Sequence, residues 1–280
     1  MQIAKSVRLM QRLSGTLPRP VVLVPTMGAL HAGHLALVKK AKRFSGRVGS
    51  TVVSLFVNPT QFGPGEDFHK YPRTFQADCE LLRNARCGIV FAPNPEEMYF
   101  SDKSTTVVES ELSRVMCGAS RPGHFSGVCT VVAKLFLITR PNIAIFGEKD
   151  FQQLAILRRM ARDLNFPVRI VSHPTVREKD GLALSSRNRF LTNKERRAAT
   201  VIFSTLLEAE QKIRNGWHLT SRVEDWMRAS ISEEELAKID YVVAVDPVTL
   251  QPSDRIRMPV LLAAAVFFGS TRLIDNRLLE

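Results

Sequence analysis

The chain has 280 residues, of which 45% are hydrophobic and 24% charged, and a formal net charge of +12. This composition predicts one large or two moderate globular domains, and no apolar run approaches the roughly 20 residues of a membrane-spanning helix. The first residues lack a secretion signal, and the four cysteines form neither a CxxC pair nor a metal-ligand spacing. We therefore expect a cytoplasmic protein with reduced thiols and no membrane partner.

The positive charge is concentrated at the start of the chain. No Asp or Glu precedes Glu66, whereas nine Lys or Arg residues do. A basic leading segment is typical of a nucleic-acid surface, an organelle transit peptide or a polyphosphate site. The transit peptide is disfavoured because structured sequence already begins near Val21, and no nucleic-acid recognition motif is present. We expect no nucleic-acid partner, and a solvated basic surface explains most of the excess.

The first predicted strand covers residues 21–24 and is followed at once by a glycine-rich turn and a helix. Gly28 and Gly33 leave the backbone open to a bulky anion, and the new helix presents unpaired N–H groups there. His31 and His34 flank this position. The turn therefore predicts a phosphate site.

Two other interpretations of the histidines stay open at this point. Each alone is more often a polar cap at the start of a helix than a ligand contact. Their spacing also suits a metal pair, but no third ligand stands nearby in the sequence, so we predict no metal site in the protein itself.

Further apolar segments follow at residues 48–57, 88–92, 143–146 and 168–171, separated by helical patterns. This alternation predicts an α/β, Rossmann-like parallel sheet over residues 1–174, with ligands bound at the carboxyl ends of the strands. Unusual polar motifs follow three of these strands: PTMGALHAGH, NPTQF and GEKD. We expect the three motifs to meet at one edge of the sheet.

In the GEKD motif, Lys149 lies at the start of a helix, where a cation is unfavourable unless an anion binds there. This misfit favours a phosphate contact for Lys149, whereas Asp150 has an equally good role as the helix N-cap. Gln61 and Gln153 are neutral donors and acceptors that suit hydroxyl or carboxylate recognition, although most glutamines are surface residues.

Residues 175–280 predict a smaller α+β domain. One long helix is expected from the capping box of Thr192 and Glu195 to Gly216, a second from Ser221 and Glu224, and strands at residues 240–245 and 260–268. The preceding loop carries LSSRN, a set of hydroxyl, guanidinium and amide groups that can wrap a triphosphate, or in which Ser185 and Ser186 form a turn. Serine-hydrolase and P-loop chemistry are excluded because neither GxSxG nor GxxxxGK[ST] occurs.

Together these motifs resemble those of the pantothenate synthetase family, the pantoate–β-alanine ligases of the adenylate-forming nucleotidyltransferases. The resemblance runs over nearly the whole chain, and its blocks are PTMGALHAGH, FVNPTQF, YPRT, RPGHFSGV, FGEKDFQQL, VREKDGLALSSRN and RLIDN. The HxGH pattern alone is shared with many nucleotidyltransferases and class I aminoacyl-tRNA synthetases. The other blocks make the resemblance specific.

The resemblance implies ligation in two steps, with ATP and pantoate forming a pantoyl adenylate that β-alanine then attacks. It also implies Mg²⁺ bound chiefly through phosphate oxygens and water, and a homodimer. No covalent enzyme nucleophile is required, because the protein mainly aligns the reactants and neutralises phosphate charge.

The resemblance also implies roles for particular residues. His34 is expected to donate a proton, with His31 beside the phosphates and Lys149 on the phosphate chain. Gln61 and Gln153 are expected to bind pantoate, with Asn58 as support and Gln61 also near β-alanine. The full set expected around ATP is Met27, Gly28, Ala29, Leu30, His31, Ala32, Gly33, His34, Gly147, Glu148, Lys149, Asp150, Val176, Leu184, Ser185, Ser186 and Arg187.

Two departures and two rival functions accompany the resemblance. The chain is more basic than expected for a small-molecule ligase, and Thr60 stands where the family more often has an apolar residue. Arg121 and His124 fall in a matching block with no implied role. The alternatives are another HxGH nucleotidyltransferase that adenylylates a cofactor precursor, or a basic RNA-binding protein, which would show steeply salt-dependent RNA affinity.

Overall fold

The structure, a computed structural model, describes residues 1–63, 66 and 68–280. Its larger sheet has six strands in the order β1-β4-β3-β2-β5-β6, and every neighbouring pair is parallel. The strands are β1 (Gln2–Ala4), β2 (Val21–Thr26), β3 (Ser50–Leu55), β4 (Ile89–Phe91), β5 (Ile143–Gly147) and β6 (Arg169–His173). The predicted Rossmann-like sheet is confirmed.

Helices cover both faces of this sheet. Those that occur before its last strand are α1 (Val7–Thr16), α2 (Ala32–Ser45), α3 (Phe75–Asn84), α4 (Pro95–Met98), α5 (Cys117–Ser120), α6 (His124–Thr139) and α7 (Phe151–Asp163). Val22 and Val24 pack on the side of α2 and α3, whereas Val21 and Leu23 pack on the side of α1, α6 and α7. Because both faces are buried, the strand is a continuous apolar run rather than an alternating one.

The strand order reverses between β2 and β5. From β2 the chain proceeds outward through β3 to β4 on one side, while β5 and β6 extend the sheet on the other. Such a switch point leaves a crevice at the carboxyl ends of the two central strands. The loops that follow β2, β3 and β5 carry the three polar motifs, as predicted.

The remaining helices and strands build a smaller layer around an antiparallel sheet. Its strands are β7 (Ala237–Val245), β8 (Val260–Phe268) and β9 (Thr271–Leu279), and its helices are α8 (Asn193–Ala198), α9 (Val201–Arg214) and α10 (Thr220–Ser232). Leu261 and Ala263 of β8 join the core under the parallel sheet, while Leu262 and Ala264 pack in the core with α9 and α10. This double burial explains the unbroken apolar sequence of β8. The division of the chain after residue 174 stays a prediction.

Several sequence predictions need correction. The strand predicted at residues 48–57 is shorter, because Val48 is 73% exposed in the turn before it. The helix predicted from Thr192 to Gly216 is interrupted between α8 and α9, although the capping box of Thr192 and Glu195 forms as expected. Ser221 lies inside α10 instead of capping it.

Two strands, β1 and β9, were not predicted from the sequence. β1 has only three residues and gains its hydrogen bonds from β4 at the edge of the sheet. β9 is polar in sequence because of Arg272, Asp275 and Asn276, yet Asp275 and Asn276 are buried. Their polar groups bind partners on distant segments, which local sequence does not show.

Among the described residues, no helix is long and apolar enough to cross a membrane. All four cysteines are buried and free of disulfide bonds.

Candidate active site

The turn between β2 and α2 is held in shape by a buried carboxylate. Gly28 and Ala29 have positive φ angles of 80° and 51°. Asp78 on α3 accepts hydrogen bonds from the backbone N–H groups of Ala29 (3.0 Å) and Leu30 (2.8 Å), and from the hydroxyl of Thr74 (3.2 Å). A Cβ atom at Gly28 would lie 3.0 Å from this carboxylate, so glycine also permits the close approach.

The two histidines form a reciprocal cap at the start of α2. The Nδ1 atom of His31 accepts from the backbone N–H of Gly33 at 3.2 Å, and the Nδ1 atom of His34 accepts from the backbone N–H of His31 at 3.4 Å. The ring centroids are 4.1 Å apart. The cap interpretation is therefore correct for both residues, and neither capping hydrogen bond uses the Nε2 atom of its ring.

Both imidazoles are held in the neutral form. Burial and the nearby ammonium of Lys149 lower the pKa of His31 below its ordinary value. Burial, helped by the neighbouring His31, lowers the pKa of His34 to about 3. Since Nδ1 accepts a hydrogen bond in each ring, the single proton resides on Nε2, and each ring is a neutral N–H donor.

Lys149 lies in the short 3₁₀ turn Glu148–Asp150 that follows β5. Its ammonium is 3.7 Å from the carboxylate of Asp150. The side-chain amide of Asn276 on β9 donates to the carbonyl groups of Glu148 (2.9 Å) and Lys149 (2.8 Å), which fixes this turn against the antiparallel sheet. Asp150 occupies the N-cap position of α7 but makes no capping hydrogen bond. Its side chain lines the cleft instead.

The segment after β6 is also anchored to β9. The backbone N–H of Leu184 donates to the carbonyl of Val176 at 2.9 Å, closing a small loop. Arg177 within that loop donates to the buried carboxylate of Asp275 at 2.9 Å. Asn276 and Asp275 are neighbours on β9, so one strand positions two walls of the cleft.

The LSSRN motif ends this segment and faces the cleft. The hydroxyl of Ser185 accepts from the backbone N–H of Arg187 at 3.2 Å and so caps the following 3₁₀ helix. Ser186 lies 3.3 Å from the hydroxyl of Tyr71 across the cleft. The turn-forming role considered for these serines is thus confirmed for Ser185, and residues 184–187 of the motif line the cleft.

These elements enclose one part of the cleft, a cavity of about 930 Å³ that we call the cationic lobe. The predicted residues that line it are Met27, His31, Gly33, His34, Gly147, Lys149, Asp150, Val176, Leu184, Ser185, Ser186 and Arg187. It joins the positive end of α2 to the cations Lys149 and Arg187. This combination suits a polyanion.

The second part of the cleft is a cavity of about 940 Å³ that we call the amide lobe. Asn58, Gln61 and Gln153 all line it, together with the apolar side chains of Val131 and Val132. The two lobes share Met27, His34, Tyr71, Asp150, Gln153 and Arg187, so they form one continuous cleft. Gln152 beside Gln153 points elsewhere and binds the backbone of Cys117 at 3.0 Å.

Arg121 and His124 belong to the wall of the amide lobe. The Nδ1 atom of His124 donates to the backbone carbonyl of Gln61 at 2.7 Å, and its Nε2 atom accepts from Arg121 at 3.0 Å. Burial and the positive charge of Arg121 lower the pKa of His124 to about 4. Arg121 also forms a bidentate pair with Glu66, at 2.6 and 2.7 Å. Burial raises the pKa of Glu66, but the hydrogen bonds and positive charge of Arg121, together with a backbone hydrogen bond from Gly63, leave that pKa below its usual range.

Five residues of the predicted ATP set do not line the cationic lobe. Gly28 borders a separate cavity, Ala29 is buried, and Leu30, Ala32 and Glu148 flank the cleft. Sequence reasoning in turn missed Asp78, Tyr71, Asp275 and Asn276 as site-building residues. The last three lie in the YPRT and RLIDN blocks, whose presence was the available signal. Within the described part of the chain, no group of three or more His, Cys, Asp or Glu side chains could hold a metal ion.

A family model described as pantoate-beta-alanine ligase matches residues 2–278 of the chain. The chain belongs to the pantoate–β-alanine ligase family. The pantothenate synthetase of Thermoanaerobacter sp. strain X514 is 50% identical to it over 268 residues, which are 96% of this chain and 93% of that protein. The match spans both the parallel and the antiparallel sheets.

Solved structures agree with this membership. The crystal structure of pantothenate synthetase from Thermus thermophilus is 45% identical, with a TM-score of 0.93 and 99% of each chain covered. The pantoate–β-alanine ligase of Francisella tularensis, solved in complex with β-γ ATP and β-alanine, is 32% identical, with a TM-score of 0.80, and covers 99% of this chain and 97% of its own. The resemblance seen in the sequence motifs is thereby confirmed, and the chain is an enzyme of the ligase class.

Proposed function

We propose that the chain ligates pantoate and β-alanine with ATP through a pantoyl adenylate. The carboxylate of pantoate attacks the α-phosphorus of ATP, and pyrophosphate leaves. The amine of β-alanine then attacks the acyl carbon, an amide bond forms, AMP leaves and the ammonium proton is released to solvent. One observation carries this proposal above the others: a cationic lobe and a lobe that presents the side-chain amides of Asn58, Gln61 and Gln153 form a single cleft with shared walls.

The cationic lobe supports the proposal through its donors. The neutral rings of His31 and His34 present N–H groups beside the amino terminus of α2, and Lys149 adds a full positive charge. Charge that migrates from the α-phosphate to the leaving pyrophosphate is stabilised by such preorganised donors. In this proposal His34 donates its Nε2 hydrogen to a phosphate oxygen, and arrival of the triphosphate raises its pKa toward protonation.

The opposite wall of the cationic lobe supplies a closing surface. Val176 and Leu184 offer apolar contacts suited to a nucleoside, while Ser185, Ser186 and Arg187 offer donors suited to phosphate. We propose that residues 175–280 form the domain that closes over ATP. The anchoring of this wall to β9 through Asp275 supports movement of the segment and the antiparallel sheet as a unit.

The amide lobe supports recognition of a small hydroxy acid. Gln61 and Gln153 line this lobe with neutral polar groups, and Val131 and Val132 supply apolar surface for the methyl groups of pantoate. Neutral donors bind a carboxylate without holding it so tightly that its attack on phosphorus is suppressed. In this proposal Gln61 also lies near the incoming β-alanine.

Magnesium is proposed to enter with the triphosphate. Mg²⁺ keeps several waters and is commonly bound through substrate phosphates and one or two carboxylates. Asp150 fits this chemistry, because its carboxylate lines the cationic lobe next to Lys149 and is not used as a helix cap. The ion would neutralise phosphate charge there.

The test is an omission experiment with an isotope label. Purified protein is incubated with ATP, Mg²⁺, β-alanine and pantoate carrying ¹⁸O in its carboxylate, and each component is left out in turn. We expect pantothenate, AMP and pyrophosphate, with one ¹⁸O atom transferred to AMP. Formation of ADP and phosphate, or AMP without the label, would contradict the adenylate. Adenylyl transfer to another cofactor precursor without β-alanine consumption would favour the rival nucleotidyltransferase.

We also propose, from family similarity, that the enzyme is a homodimer without a nucleic-acid partner. Light scattering coupled to size exclusion should give twice the chain mass of 31.4 kDa. A mass of one chain at micromolar concentration would rule out a stable dimer.

A further inference from the structure

The side-chain amide of Gln61 is held in one orientation. Its Oε1 atom accepts a hydrogen bond from the Nδ2 atom of Asn58 at 3.1 Å, which leaves its Nε2 group directed toward the sulfur of Met27 at 3.0 Å. Both Gln61 and Met27 line the amide lobe. The group that Gln61 presents to this lobe is therefore an N–H donor.

The orientation of Gln61 depends on Asn58, whose own amide has every position occupied. Its Nδ2 atom donates to Gln61 and to the backbone carbonyl of Gly127 at 3.1 Å. Its Oδ1 atom accepts from the hydroxyl of Tyr99 at 2.8 Å and from the hydroxyl and backbone N–H of Thr60 at 2.9 and 3.4 Å. All five contacts agree on one orientation of an otherwise reversible amide.

Tyr99 and Thr60 lie behind Asn58 and do not line the amide lobe. Burial raises the pKa of Tyr99, so the phenol stays protonated and can donate to Asn58. Without the two hydroxyls, the Oδ1 atom of Asn58 would keep only the long contact from the backbone of Thr60.

We propose that Tyr99 and Thr60 are positioning residues that act through Asn58 to fix Gln61 as a donor toward the acid substrate. This inference rests on the proposed function, because it assigns the amide lobe to pantoate. It adds a polarity to that site: Gln61 meets an acceptor oxygen of the substrate, not a donor hydrogen.

The sulfur of Met27, which accepts from Gln61 in this structure, is easily replaced by a substrate oxygen. A thioether sulfur is a weak acceptor, so little is lost when a carboxylate oxygen replaces it. Hydrogen bonds to a charged acceptor are stronger than those to a neutral one. The main chain of Gln61 is fixed as well, because its carbonyl accepts from His124 at 2.7 Å. The donor is thus preorganised at both ends of the residue.

The kinetic test uses a double-mutant cycle. Tyr99→Phe and Thr60→Val should each raise the KM for pantoate about two- to ten-fold, the range expected for loss of one neutral hydrogen bond. The double variant should exceed the product of the two effects, because either hydroxyl alone still anchors Asn58. The KM for ATP should stay within about two-fold of wild type, because ATP contacts the cationic lobe. Thr60→Ser, which keeps the hydroxyl, should restore wild-type values.

Tyr241→Phe is the matched control. It removes a buried phenol hydroxyl that contacts Cys117 at 3.3 Å and not Asn58, so the KM for pantoate should not change. Equal changes in kcat and in both KM values for Tyr99→Phe would show a merely structural role and overturn the proposal. Wild-type KM for pantoate in the folded double variant would overturn it as well.

A spectroscopic measurement separates this proposal from the function itself. The side-chain NH₂ resonances of Gln61, assigned by their absence from Gln61→Glu, should shift in Tyr99→Phe and Thr60→Val and not in Tyr241→Phe. This holds whether or not the wild type makes pantothenate, whereas absence of product from the wild type would contradict the proposed function alone. Unshifted Gln61 resonances in both variants would disprove the hydrogen-bond chain.

Discussion

The cationic lobe and the amide lobe differ in the chemical groups that they present to the cleft. In the cationic lobe the donors are a helix terminus, Lys149 and two imidazoles whose pKa is lowered. In the amide lobe, side-chain amides lie beside the guanidinium groups of Arg121 and Arg187, and a hydrogen bond joins Asn58 to Gln61. Charge attracts a polyphosphate from many directions, whereas a single amide recognises an oxygen only when its orientation is fixed.

The contrast extends to what lies behind each lobe. The walls of the cationic lobe are anchored through backbone carbonyls and a buried ion pair to β9, a strand of the other sheet. Most residues of the amide lobe belong to the parallel-sheet layer, among them those that follow β3 and those of α6, and Arg187 joins them from the segment after β6. Movement of the antiparallel sheet should therefore change the cationic lobe more than the amide lobe.

The strongest test of this comparison is Lys149→Ala. Loss of the ammonium should lower adenylate formation about 100- to 1,000-fold, the range for removal of one preorganised transition-state donor. The folded state should be retained, because Lys149 pairs only with a partly exposed carboxylate among its described contacts. The measurement is pyrophosphate release with ATP and pantoate in single-turnover conditions.

Lys39→Ala serves as the control for this prediction, since Lys39 is exposed on α2 and outside the cleft. Near-normal pyrophosphate release by Lys149→Ala would show that the charge of the cationic lobe does not act on the transferred group. The family-based role of Lys149 would then be wrong.

Gln61→Ala should weaken substrate binding in the amide lobe and leave binding in the cationic lobe nearly unchanged. Loss of a hydrogen bond to a charged acceptor predicts a rise in the KM for pantoate of about 10- to 100-fold, with a much smaller change for ATP. Steady-state kinetics with each substrate varied in turn gives both values. Gln211→Ala on the exposed surface of α9 is the matched control. Parallel losses for both substrates would contradict the division into two lobes.

Acid titration of the folded protein tests whether His34 of the cationic lobe is held neutral. The pKa of His34 falls from its ordinary value of 6.5 to about 3 in the folded protein, so between these values the unfolded chain binds the proton and the folded chain does not. Above pH 6.5 this residue does not lower the free energy of unfolding. As the pH falls below 6.5, it lowers the free energy of unfolding by up to about 1.4 kcal/mol per pH unit. Urea unfolding at a series of pH values should show a shallower decline for His34→Gln than for wild type.

His218→Gln removes an exposed histidine and is the control. An identical pH dependence in His34→Gln and wild type would mean that His34 is not held neutral in the folded protein.

Much of the fold followed from the sequence for a simple reason. Strands buried on both faces are continuous apolar runs, and the helices between them carry their own caps, so β2, β3, β5 and the alternation itself were visible locally. β9 was not visible, because its polar residues are satisfied by partners on the turn that follows β5 and on the loop after β6. The predicted helix 192–216 was too long because its ends have clear caps and its interruption at Ala199 and Thr200 has no breaker residue.

The candidate site, like the fold, could be predicted from the sequence only in part. The motifs, their order and their place at strand ends could be predicted from the sequence, because turn residues and apolar periodicity are local properties. The residues that support these motifs became known only from the folded chain: Asp78 beneath the β2 turn, Asn276 beneath Lys149, and Tyr99 behind Asn58. These contacts join segments tens of residues apart, and the pKa of each histidine depends on burial that only the folded chain provides.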